Sequence, residues 1–365
     1  MNQVSFFPSR TMSWYMAKRF LIATFAILFM LVLVLQTLDL LGETDNILSH
    51  PGNGQAELWR YVGLRAPQII ARFLPFSVLL ATIVTLSTMN QNSEIIAMKA
   101  AGLSAHQVLA PLIVASFGIA AISFTFNERI VTRSTASLAQ WENVGFGELP
   151  IDRGDRTNVW VRAGTDLIQV RQVNGRGDAA VLTGITIYER PEGALTGIVT
   201  AGRATRSGDG WGVTDARRFE VANGSLTDVG RAIIARGVEP DRFTLANIDA
   251  DELSYMPLDS AISELEAAGR PTKALEGAKW HKLSGPLSSV LMPLLGAVAA
   301  FGIARSGKLF IRAVIGMFLG FAYFVADNFA LAMGNLGAYP PFLAAWAPFL
   351  LFFLIGEAVL VRTEE

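Results

Sequence analysis

The sequence predicts an α-helical membrane protein with six transmembrane helices, arranged three and three around an inserted, extracytoplasmic, all-β domain that is jelly-roll-like. Three observations lead to this fold class. The 365 residues are 52% hydrophobic and 17% charged, whereas soluble domains carry about 25% charged residues. Uncharged runs of about 20 residues, the length that crosses a bilayer, recur along the chain. A polar segment of about 150 residues separates the first three runs from the last three.

The N-terminal membrane half is predicted to be 1–126. Its first apolar run, 20–38, is too long for the core of a signal peptide and is not followed by a small-residue cleavage site. We therefore expect this run to be a retained helix. The expected spans of this half are 20–41, 67–90 and 106–126, and a short helix is expected at 92–103.

Residues 127–275 are predicted to form the β domain. Short runs of alternating apolar and polar residues lie between turns rich in Gly and Asp, such as RSGDG at 206–210. Several short strands at this spacing favour a sandwich or a jelly roll. The expected strands are 159–161, 167–173, 182–189, 197–204 and 211–221, and a helix at 251–269 leads back to the membrane.

The C-terminal membrane half is predicted to be 276–365, with helices at 281–304, 309–333 and 341–361. From residue 313 to 356 the chain is apolar except for Asp327. This stretch is too long for one span, and GNLGAYPP at 334–341 divides it, because Gly and Pro end helices.

The lysines and arginines of the short loops predict the orientation, because such residues accumulate on the cytoplasmic side. One side has eight of them and the other has two. Both termini are therefore expected in the cytoplasm, and the β domain outside it. The eight are Arg10, Lys18, Arg19, Lys99, Arg305, Lys308, Arg312 and Arg362, and the two are Arg60 and Arg65.

The composition argues against several classes of function. A net charge of −1 gives no basic surface for nucleic acid, and the lack of cysteine excludes disulfides, thiolate metal sites and cysteine nucleophiles. GIARSGKL at 302–309 is close to a phosphate-binding loop, but Leu309 stands where that motif needs Ser or Thr. We find no catalytic constellation and no metal site, so we expect a chain that is not an enzyme and holds no cofactor.

The cytoplasmic loop after the second helix is the first candidate site. Ser93 can cap a short helix, Glu94 lies in its first turn, where the helix dipole favours an acid, and Gly102 can end it. Such a helix could bind a cytoplasmic partner or rest on lipid. The candidate partner-binding residues are Ser93, Glu94, Ile95, Met98, Ala101 and Gly102.

Arginines before the second helix form a second candidate site. Arg60, Arg65 and Arg72 enter that helix from the outer side, where guanidinium groups can bind lipid phosphates with paired hydrogen bonds. A plain interfacial role, with the charge reaching towards water, remains the alternative.

The fifth helix contains two further features. Asp327 lies deep in an apolar run, and ionisable groups in that position usually face a cavity or a partner. It could therefore line a transport path, or it could form a buried hydrogen bond with Asn328 or with another helix. Gly316 and Gly320 form a GxxxG pattern, which permits close helix packing.

These motifs, taken as an ordered set, resemble one family: the permease subunits of the lipopolysaccharide exporter, LptF and LptG. The resemblance covers nearly the whole chain from Met12. The run LDLLGE at 38–43 and the loop at 92–104 are more similar to LptG than to LptF. The matching segments are NSEIIAMKAAGLS at 92–104, FNERIV at 126–131, GITIYER at 184–190, GWGVTDA at 210–216, DELSYMPL at 251–258 and LGAYPPFLAAWAPFLLFFLIG at 336–356.

The resemblance implies a permease subunit of an ATP-binding-cassette exporter in the Gram-negative inner membrane. One LptF-type and one LptG-type permease would form the membrane core, above two copies of the ATPase LptB, which would bind ATP and magnesium. The loop helix with Glu94 would be the coupling helix that docks on LptB. Lipopolysaccharide would pass from the outer leaflet to the β-jellyroll domain, then to LptC and the LptA bridge.

One feature departs from the family pattern. Members commonly carry basic residues near the outer end of the first helix, whereas this chain has Asp39, Glu43 and Asp45 there. Phosphate contacts would then shift to Arg60, Arg65 or Arg72, or the substrate would carry fewer phosphates. The alternatives are the sister permease LptF, a secondary transporter that uses an ion gradient, and a signalling protein with the β domain as its sensor.

Overall fold

The computed structural model describes residues 8–147, 156–174, 180–239, 243, 249–267, 270–302 and 309–362. The chain divides into two compact units. The first contains the helices, and the second, Leu149–Asp249 with Ala267–Gly269, contains the sheet. The segment GIARSGKL, which resembles a phosphate-binding loop, lies almost entirely outside the described residues.

Six helices of the described residues are long and apolar enough to cross a membrane. With the antiparallel sheet, they confirm the predicted fold class of a helical membrane protein that carries an inserted β domain. The helices are α1 (Arg10–Leu48), α2 (Gln55–Gln91), α3 (Glu94–Ala100), α4 (Ala105–Phe126), α5 (Thr132–Asn143), α6 (Tyr255–Ala267), α7 (Lys273–Ala297), α8 (Leu309–Asn335) and α9 (Pro341–Arg362).

Several helices extend beyond the apolar runs that predict them. α1 has 39 residues and α2 begins at Gln55, twelve residues before the predicted start at 67. α4 continues through a π-helical turn, Asn127–Val131, into α5, although the β domain was predicted to begin at 127. Hydropathy marks where a chain leaves the apolar region, whereas a helix ends where its backbone is capped. The continuous helix of α4 and α5 ends just before Gly145, which has a φ of +63°.

α7 lies at the centre of the helical unit. Of its most apolar stretch 78% is buried, against 17% for α1 and 28% each for α8 and α9. Small residues let other helices approach α7 closely: an added Cβ at Gly296 would lie 2.8 Å from the Thr82 side chain of α2. The helical core therefore forms around α7, and α1 packs at its periphery.

The β domain contains one six-stranded antiparallel sheet in the described residues, and its strands follow one another in sequence order. This meander lacks the crossed connections of a Greek-key jelly roll. Alternate side chains on β1 to β5 form an apolar core with the buried Trp211. The sixth strand was not predicted, because its residues are largely exposed. The strands are β1 (Arg156–Ala163), β2 (Asp166–Asn174), β3 (Val181–Glu189), β4 (Gly197–Ser207), β5 (Gly210–Glu220) and β6 (Ser225–Ile234).

Candidate functional site

The loop between α2 and α4 forms the short helix α3, as the sequence predicts, and its two faces differ sharply. Ile95 and Met98 are buried in the helical core, where they pack with α2 and α4 residues. These two residues were predicted to contact a partner, and the structure corrects that assignment, because they attach α3 to its own chain. On the other face, the Ile96 side chain is 59% exposed, and Ala97 and Ala100 are exposed beside it.

The two ends of α3 are built differently from each other. Ser93 was predicted to cap the helix, but it has a φ of +62° and makes no side-chain cap hydrogen bond. The C-terminal end agrees with the prediction: Gly102 has a φ of +85°, and the amide of Leu103 donates to the carbonyl of Met98. This is a Schellman closure. Ala101 and Gly102 are both exposed.

Glu94, the first residue of α3, is held by α1. The Arg19 guanidinium donates a hydrogen bond to its carboxylate at 3.1 Å, and the Tyr15 hydroxyl lies 3.3 Å from it. Arg19 also donates to the Tyr15 oxygen at 2.7 Å. Glu94 therefore has a basic partner within its own chain. Sequence reasoning missed Tyr15 and Arg19, although their spacing of four residues places them on one face of α1.

At the other end of α1, the predicted substrate arginines fall into three different environments. Arg65 of α2 binds the Asp39 carboxylate through Nη2 at 3.0 Å and Nε at 3.1 Å, and the Tyr61 hydroxyl donates to the same carboxylate at 2.7 Å. Arg60 lies 4.5 Å from the centre of the Trp141 ring. Arg72 is exposed, and within the described part of the chain nothing pairs with it.

The pairing of Arg65 accounts for Asp39, one of the three acidic residues near the C-terminal end of α1. Asp39 lies close to Arg65 and Tyr61 because α1 and α2 pack side by side. Arg65 also donates a hydrogen bond through Nη1 to the side-chain amide oxygen Oε1 of Gln68 at 2.7 Å. The Asp39 carboxylate binds Nε and Nη2 of Arg65, the two donors that could otherwise bind a phosphate through paired hydrogen bonds. Arg65 thus binds an anionic group, and in this structure that group is the Asp39 carboxylate of the same chain.

Asp327 is buried, with 8% of its surface exposed, between α7 and α8. Its Oδ2 lies 3.8 Å from Nε2 of His281, and its Oδ1 has no hydrogen-bond partner among the described residues. The expected alternative partner, Asn328, instead donates to the carbonyl of Phe324. Asp327 therefore faces another helix of the same unit.

The family model "Lipopolysaccharide export system permease LptF/LptG" matches residues 14–362. The chain belongs to the LptF/LptG permease family. It is 24% identical to lipopolysaccharide export system permease protein LptG of Escherichia coli strain K12 over 313 residues, 83% of this chain and 84% of that protein. It is also 24% identical to the LptG of Haemophilus influenzae over 370 residues, 97% and 99% of the two chains.

Membership of the LptF/LptG family identifies the chain as a multi-pass membrane permease, which is a transport subunit rather than an enzyme. Among the described residues, no three His, Cys, Asp or Glu side chains are grouped so that they could hold a metal ion.

In this LptF/LptG permease, the GxxxG pattern of α8 packs within the chain. A Cβ added at Gly316 would collide with Ile83 of α2, and one added at Gly320 would collide with Leu79 of the same helix. The two glycines thus let α8 approach α2 closely. The close packing that this pattern permits is therefore made with a helix of the same chain.

Proposed function

We propose that this chain is the LptG-type permease subunit of an exporter that moves lipopolysaccharide out of the inner membrane, driven by ATP hydrolysis in a separate LptB-type ATPase. Both named relatives are LptG proteins, and their alignments cover most of each chain, which supports LptG over the sister permease LptF. Family membership supports the transport role, and the contacts of α3 support the coupling to an ATPase.

The observation that supports coupling to an ATPase is that α3 has one buried face and one exposed apolar face. Ile95 and Met98 fix the helix to the membrane bundle, while Ile96, Ala97 and Ala100 form an exposed, small and apolar face. An exposed isoleucine flanked by alanines fits the groove of a partner, since a helix presents its anchors at such spacings. In the proposed complex, this face binds the ATPase, and Glu94 orients it.

The proposed orientation places both termini and α3 in the cytoplasm and the β domain in the periplasm. The excess of basic residues on the side of α3 supports it. The partners would be an LptF-type permease, two LptB subunits that hold the ATP and magnesium, LptC and the LptA bridge. The β domain would receive lipopolysaccharide and pass it towards the outer membrane.

Among the arginines, Arg72 is the strongest candidate for contact with the substrate. It is exposed and lies two turns along α2 from Arg65, about 10 Å by helix geometry. Its guanidinium is free to form paired hydrogen bonds with a phosphate, whereas that of Arg65 is bound to Asp39. Arg60 would need to leave the Trp141 ring to do the same.

The test is purification of the tagged full chain in mild detergent, with mass spectrometry of the bound proteins and lipids. The proposal predicts a soluble ATPase at two copies per complex, a second six-helix permease, and lipid A species. Glu94→Lys should prevent this assembly or export while the chain still inserts in the membrane. Lys18→Gln, which alters an exposed charge one residue from Arg19, is the control.

A second candidate, a transporter coupled to an ion gradient, rests on the buried Asp327 and its half-buried neighbour His281. Ionisable groups inside a membrane often lie on an ion path. This alternative predicts a homo-oligomer without an ATPase in the same purification, and transport that Asp327→Asn abolishes. An ATPase in the complex, with export intact in Asp327→Asn, would exclude it.

A further inference from the structure

The first transmembrane helix packs along α2 but buries little of its own surface. Only 17% of its most apolar stretch is buried. The buried side chains form one thin stripe, because most of them follow at intervals of four or eight residues. They are Met16, Phe20, Thr24, Leu28, Gln36 and Ile47.

Among the described residues, ion pairs join α1 to other helices at two points. Near its start, Arg19 and Tyr15 bind Glu94 of α3. Further along, Asp39 binds Arg65 of α2 and accepts a hydrogen bond from Tyr61. We call these the inner tether (Tyr15, Arg19, Glu94) and the outer tether (Asp39, Tyr61, Arg65).

The distance between the tethers matches the thickness of a bilayer. Arg19 and Asp39 are twenty residues apart on one continuous helix, which corresponds to about 30 Å, the thickness of the hydrocarbon core. No Gly or Pro lies between them, so this stretch contains none of the residues at which helices usually kink. A displacement at the inner tether is therefore carried to the outer tether along a stiff helix.

We propose that α1 passes movement of α3 across the membrane and thereby controls whether Arg65 is free to bind an anionic headgroup. This inference rests on the function proposed above. ATPase movement displaces α3, Glu94 pulls on Arg19, and α1 shifts along its thin packing stripe. The shift withdraws Asp39 from Arg65, whose guanidinium then binds a phosphate of the transported lipid. Arg19 and Asp39 are positioning residues, since each acts through another side chain.

The test follows the outer ends of α1 and α2 in the complete complex. The chain has no cysteine, so spin labels can be placed through Leu41→Cys and Trp59→Cys, two side chains that are 69% and 74% exposed. The label-to-label distance should change when ATP binds the unaltered complex. Arg19→Gln should abolish this change and lower the lipid released per ATP hydrolysed by about two- to fivefold, the effect expected for loss of a partly exposed ion pair.

Matched variants separate coupling from stability. Lys18→Gln should behave as the unaltered chain, and the exchanged pair Arg19→Glu with Glu94→Arg should restore the distance change. Asp39→Asn should increase lipopolysaccharide binding without ATP, relative to Asp45→Asn on an exposed residue of the same helix. The added binding should disappear in the double variant Asp39→Asn with Arg65→Gln.

The results distinguish this inference from the function on which it rests. If the complex lacks an ATPase, the proposed function fails. If the ATPase is bound and lipid is released, but the distance change persists in Arg19→Gln or is absent from the unaltered complex, the transmission role of α1 is overturned. Equal lipid binding by Asp39→Asn and Asp45→Asn would overturn the control of Arg65.

Discussion

At the residue scale, two pairs of charged side chains at the candidate sites bind each other within the chain. Glu94 is held by Arg19, and Arg65 is held by Asp39. All four side chains remain about one quarter to one third exposed, and ion pairs with such exposure add little to stability. Their value therefore lies in orientation, and the Asp39–Arg65 pair can open at small cost when a lipid phosphate competes for the guanidinium.

Gly316 provides a test of packing at a single residue. Gly316→Ile should lower the melting temperature of the purified protein, because the new side chain collides with Ile83 and has little space against Ala299. Overpacking of this kind costs about 1–3 kcal/mol. Gly118→Ile is the matched control, because an added Cβ at Gly118 meets nothing within 4 Å. Equal melting temperatures for the two variants would contradict the packing of α8 on α2.

Ser93 provides a test of backbone conformation. Its φ of +62° lies in the left-handed region, where a residue other than glycine costs about 1 kcal/mol or more. Ser93→Gly should therefore slow amide hydrogen exchange in α3, and Ser93→Val should accelerate it. Faster exchange in Ser93→Gly would mean that the serine side chain stabilises the start of the helix.

At the element scale, α3 has separate faces for folding and for contact. Ile95→Ala should reduce the stability of the permease, since Ile95 is buried in the helical core. A large-to-small change in a core costs about 2–5 kcal/mol. Ile96→Asp should leave stability unchanged but remove the ATPase from the purified complex. Thermal unfolding and the amount of co-purified ATPase measure the two effects separately, and loss of stability in Ile96→Asp would contradict the assignment of faces.

At the scale of the whole molecule, the proposed topology predicts which parts of the chain face each compartment. Single cysteines can test this, because the natural chain has none. Ser225→Cys in the exposed strand β6 should react with a membrane-impermeant maleimide once the outer membrane is permeable. Lys18→Cys, at an exposed position of α1 beside the residue that binds α3, should react only after the inner membrane is opened. The reverse pattern would invert the proposed orientation.

The local sequence predicted much of the helical unit and part of the sheet. Long apolar runs can be satisfied in a bilayer only by helices, because every backbone polar group needs a partner there. Gly102 and the Gly and Pro residues of 334–341 similarly fixed helix ends, because their backbone preferences are local. Strand β6 escaped prediction because exposed residues lack the alternation that marks a half-buried strand.

Other features were decided only by tertiary structure. The sequence shows that Ile95 and Met98 share a face with Ala101 and Gly102, but only packing shows that the two large side chains point into the core. The pairing of Asp39 with Arg65 joins residues that are 26 positions apart and lie on two helices. A local sequence pattern cannot predict such a contact.

By itself, the sequence determined the fold class, the membrane spans, the loop helix and the resemblance to a permease family. These features depend on hydropathy, on backbone preference and on the order of motifs, which can all be read from neighbouring residues along the chain. The tertiary structure decided which face of α3 is exposed, that the GxxxG glycines pack within the chain, and which arginine is already occupied. These features depend on which side chains of other helices each residue contacts. Such contacts are set by packing between segments that are distant in the sequence.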